Sequence, residues 1–349
     1  MIMKCLVLIF TLLTSMKAFT QSTDNLDLSL MIQPADPSQF VHDSLYYNWC
    51  NSIIKDDDGM YHLFYSRWPK SIGFYSWLTH SEIAHATAIR PEGPYPMGKT
   101  VLKADKGGWD AVTVHNVKVE KFDGNYYMYY TSTNTGKEIL SEKQLVEIGK
   151  TGYSHKYWML LRSNQRTGVA VSRSLDGPWR KLNQPMIEPH GPIRTVTVNP
   201  TVCQGPDNKY YLIIKGDDKN VQWSCLIQAI GTSDKPTGPF LLEDKPAFTD
   251  IPTEDVSMWY DRTRKRFYAI FHAHGRNFIG LITSEDGINW QKAKHFKVCE
   301  KNIPLNDGTV MNVDRMERPF IYVKDGVPQL LSCGVKKGND AFIVFFQLK

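Results

Sequence analysis

A unit that recurs five times along the chain limits its fold more than any other feature. In each copy a short apolar run enters a turn rich in Asp and Gly, then returns as an apolar, mostly aromatic strand. The first copy runs from residues 52–55 through Asp56-Asp57-Asp58-Gly59 into Tyr61-His62-Leu63-Phe64-Tyr65. Later copies turn at Asp123-Gly124 into Tyr126-Tyr127-Met128-Tyr129-Tyr130 and at Pro206-Asp207-Asn208 into Tyr210-Tyr211-Leu212. The last two turn at Asp261-Arg262 into Phe267-Tyr268-Ala269 and at Asp325-Gly326 into Gln329-Leu330-Leu331. Two apolar runs joined this way read as a hairpin. A second hairpin follows each of the first four, over residues 81–95, 169–179, 228–240 and 280–290, each closing on an aromatic residue. Two hairpins make a four-stranded sheet, and such a sheet buries both faces only if copies stack around an axis. The expected fold is therefore all-β: a five-bladed β-propeller with four-stranded antiparallel blades, a single domain over residues 21–349. Residues 341–348 supply the last strand of blade five, and residues 26–39 its missing outer strand, which closes the ring. A β-sandwich or two all-β domains is the alternative, and neither explains a recurrent double hairpin.

Residues 1–20 read differently. Lys4 precedes an apolar run over 5–13, and a short polar stretch ends in Ala18-Phe19-Thr20. That pattern is a secretory signal peptide, so a secreted or periplasmic location is expected. The run is about half the length a spanning helix needs, and no later stretch is longer, so no membrane insertion is expected. The net charge of +5 is dispersed, without the basic block of a nucleic-acid footprint. No phosphate-binding glycine loop or Ser/His/Asp motif stands in context, which excludes kinase, dehydrogenase and protease readings. Past the leader, Cys50, Cys203, Cys225, Cys299 and Cys333 are odd in number and irregularly spaced. They suit buried thiols better than a disulfide framework or a zinc site, with Cys203 and Cys225 the nearest pair.

In a propeller the first strand of each blade lines the axis, so residues at its entrance converge on one funnel. Those positions carry Asn48 and Asn51, then Asp110, His115 and Asn116, then Asn199, then Glu254 and Asp255, and finally Arg315, Glu317 and Arg318. Carboxylates, amides, an imidazole and guanidinium groups aimed at one cavity suit a sugar. Glycoside cleavage needs a protonated carboxyl for the leaving oxygen and an ionised one as base or nucleophile. Glu254, Asp110, Glu317 and Asp255 are the catalytic candidates, with Glu254 preferred as acid and Asp110 as base or orienting group. In a regular strand Glu254 and Asp255 point to opposite faces, so one of them is expected at the axis. His115 is an acid–base group, a substrate donor, a cation ligand or a structural histidine. Trp109, Trp68 and Trp77 stack on sugar or pack between blades. Arg162, Asn164, Gln165 and Arg166 fix hydroxyls or cap a loop. His272 and His274 follow a blade-four strand. Arg318 either pairs with a carboxylate or binds an anionic sugar.

The blade openings, with Asp176-Gly177-Pro178-Trp179 and Thr237-Gly238-Pro239-Phe240, resemble the propeller glycosidases of glycoside hydrolase family 43 and its relatives, families 32, 62, 68 and 117. The resemblance spans nearly the whole mature chain. It implies an exo-acting enzyme on a plant or algal oligosaccharide, with no cofactor required and an axial calcium ion in some relatives. In family 43 the base is an aspartate opening blade one. The corresponding stretch here, Cys50-Asn51-Ser52-Ile53-Ile54, has no carboxylate. A carbohydrate-binding propeller without catalysis is thus the alternative. A protein-interaction platform requires a flat apolar top face, against which the polar entries argue.

Overall fold

A computed structural model describes residues 23–221 and 226–349. The leader read at 1–20 and Cys225 lie outside the described residues.

Each repeat folds into an antiparallel sheet whose first strand is innermost. Blade one holds β1 (Tyr46–Lys55), β2 (Tyr61–Pro69), β3 (Glu82–Ala88) and β4 (Lys99–Leu102) in that order. Blade two holds β5 (Thr113–Phe122), β6 (Asn125–Thr133), β7 (Gln165–Ser172) and β8 (Arg180–Lys181). Blade three holds β9 (Val198–Gln204), β10 (Tyr210–Asp217), β11 (Leu226–Ser233) and β12 (Leu241–Pro246). Blade four holds β13 (Thr253–Asp261), β14 (Arg266–Ala273), β15 (Phe278–Ser284) and β16 (Gln291–Glu300). After a small hairpin of β17 (Asn302–Pro304) and β18 (Val310–Asn312), blade five holds β19 (Arg315–Lys324), β20 (Val327–Lys337) and β21 (Asp340–Gln347).

Local chemistry sets the hairpins. Between β5 and β6, Asp123 and Gly124 take φ of 48° and 75°, and between β19 and β20, Asp325 and Gly326 take 51° and 79°. Two consecutive left-handed residues form the turn whose twist matches paired strands, and Asp-Gly is its preferred sequence.

The N-terminal segment runs along β21 and closes the ring there without forming the expected fourth strand, so blade five is three-stranded. Gln33 N–H donates to Gln347 O at 2.9 Å, and Val41 and Ile343 exchange bonds of 3.1 and 3.3 Å. The contact is a pair of isolated bridges, at Ile32 and Val41, and it extends past residue 39. Pro34 and Pro37 lie between the bridges and lack the N–H a ladder needs.

Side chains alternate between the two faces of each blade, and both faces are buried. Phe64 packs toward Met128 and Tyr130 of blade two, while its neighbour Tyr65 packs toward Tyr322 and Phe345 of blade five. Ile213 meets Ala269 and Phe271 of blade four, whereas Leu212 and Ile214 meet Tyr129 and Val169 of blade two. Tyr268 and Leu281 of blade four meet Leu331 and Phe346 of blade five. Strands sandwiched this way need apolar residues at successive positions, which explains the aromatic runs. Cys50, Cys203 and Cys333 are buried thiols, and Cys299 is a half-buried one. Among the described residues no helix is long and apolar enough to cross a membrane.

A buried contact between β2 and β3 of blade one is titratable. His85 stacks on Phe64, with centroids 4.4 Å apart, and its Nε2 lies 2.8 Å from His62 Nδ1. Burial, then His62, pushes His85 down to about 4, with Asp176 opposing. The unfolded chain therefore binds this proton first, so the stability His85 contributes is complete above pH 6.5 and lost as pH falls toward 4. The melting temperature should fall over that interval, and a His85→Phe variant should show a flatter profile. An equally steep fall in the variant removes His85 as the cause.

The ring departs from symmetry on one side. Between β6 and β7 the chain inserts α2 (Glu142–Thr151), capped by a reciprocal Ser141–Gln144 box, and α3 (Trp158–Ser163). These helices pack on the loop after β2, which carries α1 (Trp77–His80), through Leu78, Ile148, Trp158 and Leu161. Gly149 makes the approach possible: a Cβ there meets Ser76 Cβ at 2.8 Å and Ile72 Cγ2 at 2.9 Å. Alanine in an open helix gains about 1 kcal/mol over glycine. Here overpacking should reverse the sign, and Gly149→Ala should destabilise by about 1–3 kcal/mol in chemical denaturation. A neutral or stabilising result means that the helices do not pack this closely.

Candidate functional site

Every innermost strand breaks register at the same level. Trp49 faces Ser66, His115 faces Thr131, Val198 faces Lys215, Glu254 faces His272 and Glu317 faces Gly334. Just beyond each pair, two residues oppose one. The first of the two is Cys50, Asn116, Asn199, Asp255 or Arg318, with φ of 40°, 54°, 55°, 58° and 59°. Left-handed backbone costs a residue with a Cβ roughly 1–2 kcal/mol, so five such bulges at one level are held in place by their surroundings. A bulge re-aims side chains, which lets both Glu254 and Asp255 approach the axis where a regular strand brings one.

The bulge residues tie the blades together. Asn116 donates its side-chain amide to Asn199 Oδ1, Asn199 Nδ2 donates to Asp255 Oδ1 at 2.8 Å, and Arg318 pairs with the same oxygen. Backbone N–H groups of Asn116 and Asn199 donate to Ser66 Oγ at 2.8 Å and Thr131 Oγ1 at 2.9 Å on the preceding blade. Lys215 Nζ lies 3.6 Å from Asp255 Oδ1, and His272 Nδ1 lies 2.9 Å from Asp255 Oδ2. Burial opposes ionisation of Asp255, but Arg318, Lys215 and His272 outweigh it and hold the carboxyl well below the usual range.

Above this floor opens a cavity of about 500 Å³. Its wall on the side of blades one and two and the helical insertion is aromatic: Trp49, Trp68, Phe74, Trp77, Tyr153 and Trp158. The rest of the lining includes the polar Lys215, Glu254, His274, Arg315, Glu317 and Arg318, with Arg315 over the Phe74 ring at 5.7 Å. Aromatic and polar groups in one cavity suit a sugar ring, whose faces stack on aromatics while its hydroxyls seek polar partners. Glu254 Oε2 lies 3.4 Å from Lys215 Nζ and 3.7 Å from His272 Nε2, and Oε1 lies 3.6 Å from His274 Nδ1. Burial, and to a smaller extent Asp255, raise the pKa of Glu254, but Lys215, His272 and His274 together outweigh them and the net shift is downward. Glu317 Oε1 has Arg315 Nη1 at 3.9 Å. His115 stacks on Trp77 and has Ser81 Oγ at 2.8 Å from Nδ1. Burial, then Arg318, pushes His115 well below its ordinary value, so it is neutral near pH 7.

Of the residues expected at the funnel, Glu254, Arg315, Glu317, His115, Asn116, Asn199 and Arg318 line the cavity, and so do Arg162 and Gln165. Asp255 and His272 are buried in its floor. Asp110 does not reach it. That carboxylate pairs with Lys181 of the outer strand β8 and accepts from Tyr130 at 3.3 Å. The ring position of blade two belongs to His115, and the loop ahead of β5 turns outward. Trp109 goes with it, stacked on Tyr130 and donating to Leu182 O at 3.2 Å. Arg166 pairs with Glu188, outside the cavity lining. Asn51 is buried beside the axis and accepts from Ser332 Oγ at 2.6 Å. Asn48 is spent on Val41 O, and Asn164 on Leu160 O. Lys215, Trp49 and Trp158 were not legible as site residues. Lys215 had one sequence signal, a charge inside an apolar second strand at the position of Ser66 and Thr131.

No family model matches the chain, and no curated protein matches it in sequence. Solved structures do. A family 117 glycoside hydrolase from the marine bacterium Zobellia galactanivorans superposes with a TM-score of 0.61 at 15% identity, covering 88% of this chain and 86% of that one. An α-L-arabinofuranosidase from Lactobacillus brevis gives 0.57 at 13% identity, covering 90% and 94%. A family 43 β-xylosidase/α-arabinofuranosidase from a compost metagenome, in complex with xylotriose and in a calcium-free form, gives 0.56 at 12%, covering 91% and 94%. The fold is that of the five-bladed propeller glycosidases. At these identities the likeness speaks for the fold.

An axial calcium ion fits these residues poorly. Calcium takes six to eight oxygen ligands at about 2.3–2.6 Å. The axis offers Asp255, already paired with Arg318, and Asn199 Oδ1, already taken by Asn116. Higher up, Glu254, His272 and His274 present ligand atoms within 4.8 Å of one another. That mixed nitrogen and oxygen set suits a transition metal better than calcium.

Proposed function

We propose that the protein is a glycoside hydrolase that takes the end of a plant or algal oligosaccharide into the axial cavity. The observation that carries this reading is the entry of Glu254 and Glu317, from adjacent blades, into one cavity with an aromatic wall. Glu254 is assigned as base or nucleophile and not as acid, because Lys215 favours its ionised form. Glu317 is assigned as proton donor to the leaving oxygen. A base that draws a proton from water, or a carboxylate that attacks the anomeric carbon, completes the cleavage. Neutral His115, beside the aromatic wall, serves as a substrate hydrogen-bond partner. The helical insertion walls off one side of the cavity, which favours a chain end over a mid-chain segment. The leader at residues 1–20 supports action outside the cytoplasm, and a cytoplasmic location of the intact chain on cell fractionation overturns that part.

The reaction is tested by screening the protein against neutral and acidic oligosaccharides, with Glu254→Gln, Glu317→Gln and Asp110→Asn beside it. Turnover should vanish in the first two and survive in Asp110→Asn, whose carboxylate is engaged with Lys181 at the rim of blade two. One observation favours a second reading: the blade-one stretch Cys50-Asn51-Ser52-Ile53-Ile54, which corresponds to the one that holds the base in family 43, has no carboxylate. Saturable sugar binding without turnover supports a carbohydrate-binding propeller instead.

A further inference from the structure

At the cavity floor lies a small space of about 10 Å³, lined among others by Cys50, Asn116, Lys118, Asn199, Asp255 and Arg318. Five of these are the bulge or near-bulge residues of successive blades, which places the void on the propeller axis. It is barely the size that admits one water molecule. Two cationic side chains close on it. Arg318 reaches Asp255 Oδ1, and Lys118 Nζ lies 4.5 Å from the Phe320 ring centroid and 3.4 Å from Asn51 O.

We infer that Arg318 is the axial cation of this propeller: its guanidinium holds the place and neutralises the carboxylate that a bound divalent ion would otherwise serve. Three observations carry the inference. The space holds about one water molecule, so a calcium ion there would have to draw its six to eight oxygens from the lining, which includes a thiol and two cationic side chains. Asp255 Oδ1 already faces Asn199 Nδ2 and Arg318, and Asn199 Oδ1 is taken by Asn116. The positive charge comes from β19 itself, at a bulge that orients the side chain toward Asp255. A guanidinium is planar, permanently charged and suited to pairing with a carboxylate at a buried site. Arg318 acts on the wall above through Asp255, since His272 spans from Asp255 at 2.9 Å to Glu254 at 3.7 Å. The inference concerns the cavity proposed to cleave glycosides, yet it stands or falls on metal binding and stability, whether or not a substrate is found.

The test uses the mature protein. Thermal unfolding is measured after dialysis against a chelator and again with calcium chloride added, and calcium is titrated by calorimetry. No shift in melting temperature and no calcium binding are expected. Arg318→Met should lower the melting temperature, and adding Asp255→Asn to it should recover part of the loss, because the buried carboxylate is then no longer left with Lys215 and His272 alone. A melting temperature that drops on chelation and returns with calcium overturns the inference, as does stoichiometric calcium binding. A double variant no more stable than Arg318→Met also overturns it. Should the variants fail to fold, the chelation and calcium titration of the parent protein decide alone.

Discussion

Glu254→Gln is expected to lower kcat/KM on the cleaved oligosaccharide by about 10²–10⁴-fold, the range that a positioned acid–base group supplies. Glutamine keeps the size of the side chain and its hydrogen-bonding reach, so the cavity keeps its shape. What disappears is the negative charge that Lys215 faces at 3.4 Å and that His272 and His274 face at 3.7 and 3.6 Å. Binding of the oligosaccharide, followed by calorimetry, should therefore survive while turnover fails. The pH profile carries the same signature. With the folded pKa of Glu254 lowered from 4.5, a base at this position stays competent into the acid range, and the acid limb of kcat/KM should lie below that value. A Glu254→Gln variant as active as the parent removes this residue from the chemistry.

Asp255→Ala is expected to cost about 3–5 kcal/mol in chemical denaturation, the range measured when one partner of a buried ion pair is removed. Arg318, Lys215 and His272 would be left around a missing carboxylate, and Asn199 Nδ2 would lose its acceptor. The same carboxylate makes the fold acid-sensitive. Its folded pKa lies well below the ordinary 3.8, so its contribution is present above that value and disappears as pH falls further. This loss adds to the earlier one at His85, which begins near pH 6.5. A loss under about 1 kcal/mol for Asp255→Ala would be the yield of an exposed pair, and would mean that the floor is not held together at this point.

The candidate site was legible in part, and the errors follow a rule. Asn116, Asn199, Glu254, Glu317 and Arg318 sit at the bulges, where the first strand itself carries them to the axis. Asp110 and Trp109 precede β5 in a loop, and no strand constrains where a loop residue goes. Lys215 reaches the cavity from a second strand, β10, whose text reads as buried apolar sheet apart from that charge. Aligning the five second strands by register returns Ser66, Thr131, Lys215, His272 and Gly334 at one level, and that comparison would have found it. The aromatic wall owes Tyr153 and Trp158 to an insertion outside the repeat. The sequence preference for Glu254 as acid took no account of Lys215, which comes from another blade and favours the ionised form.

The number of blades, their hairpins and the burial of both faces were written in the sequence. Strand pairing within a blade is local: Asp-Gly turns and alternating apolar side chains settle it over a few residues. The floor, the wall and the charges on Glu254 and Asp255 were decided by tertiary structure. Asn116 meets Asn199 across 83 positions, and Asn199 meets Asp255 across 56. Such meetings depend on the backbone bulge in each inner strand and on closure of the ring, and neither leaves a mark in the spacing of any one segment.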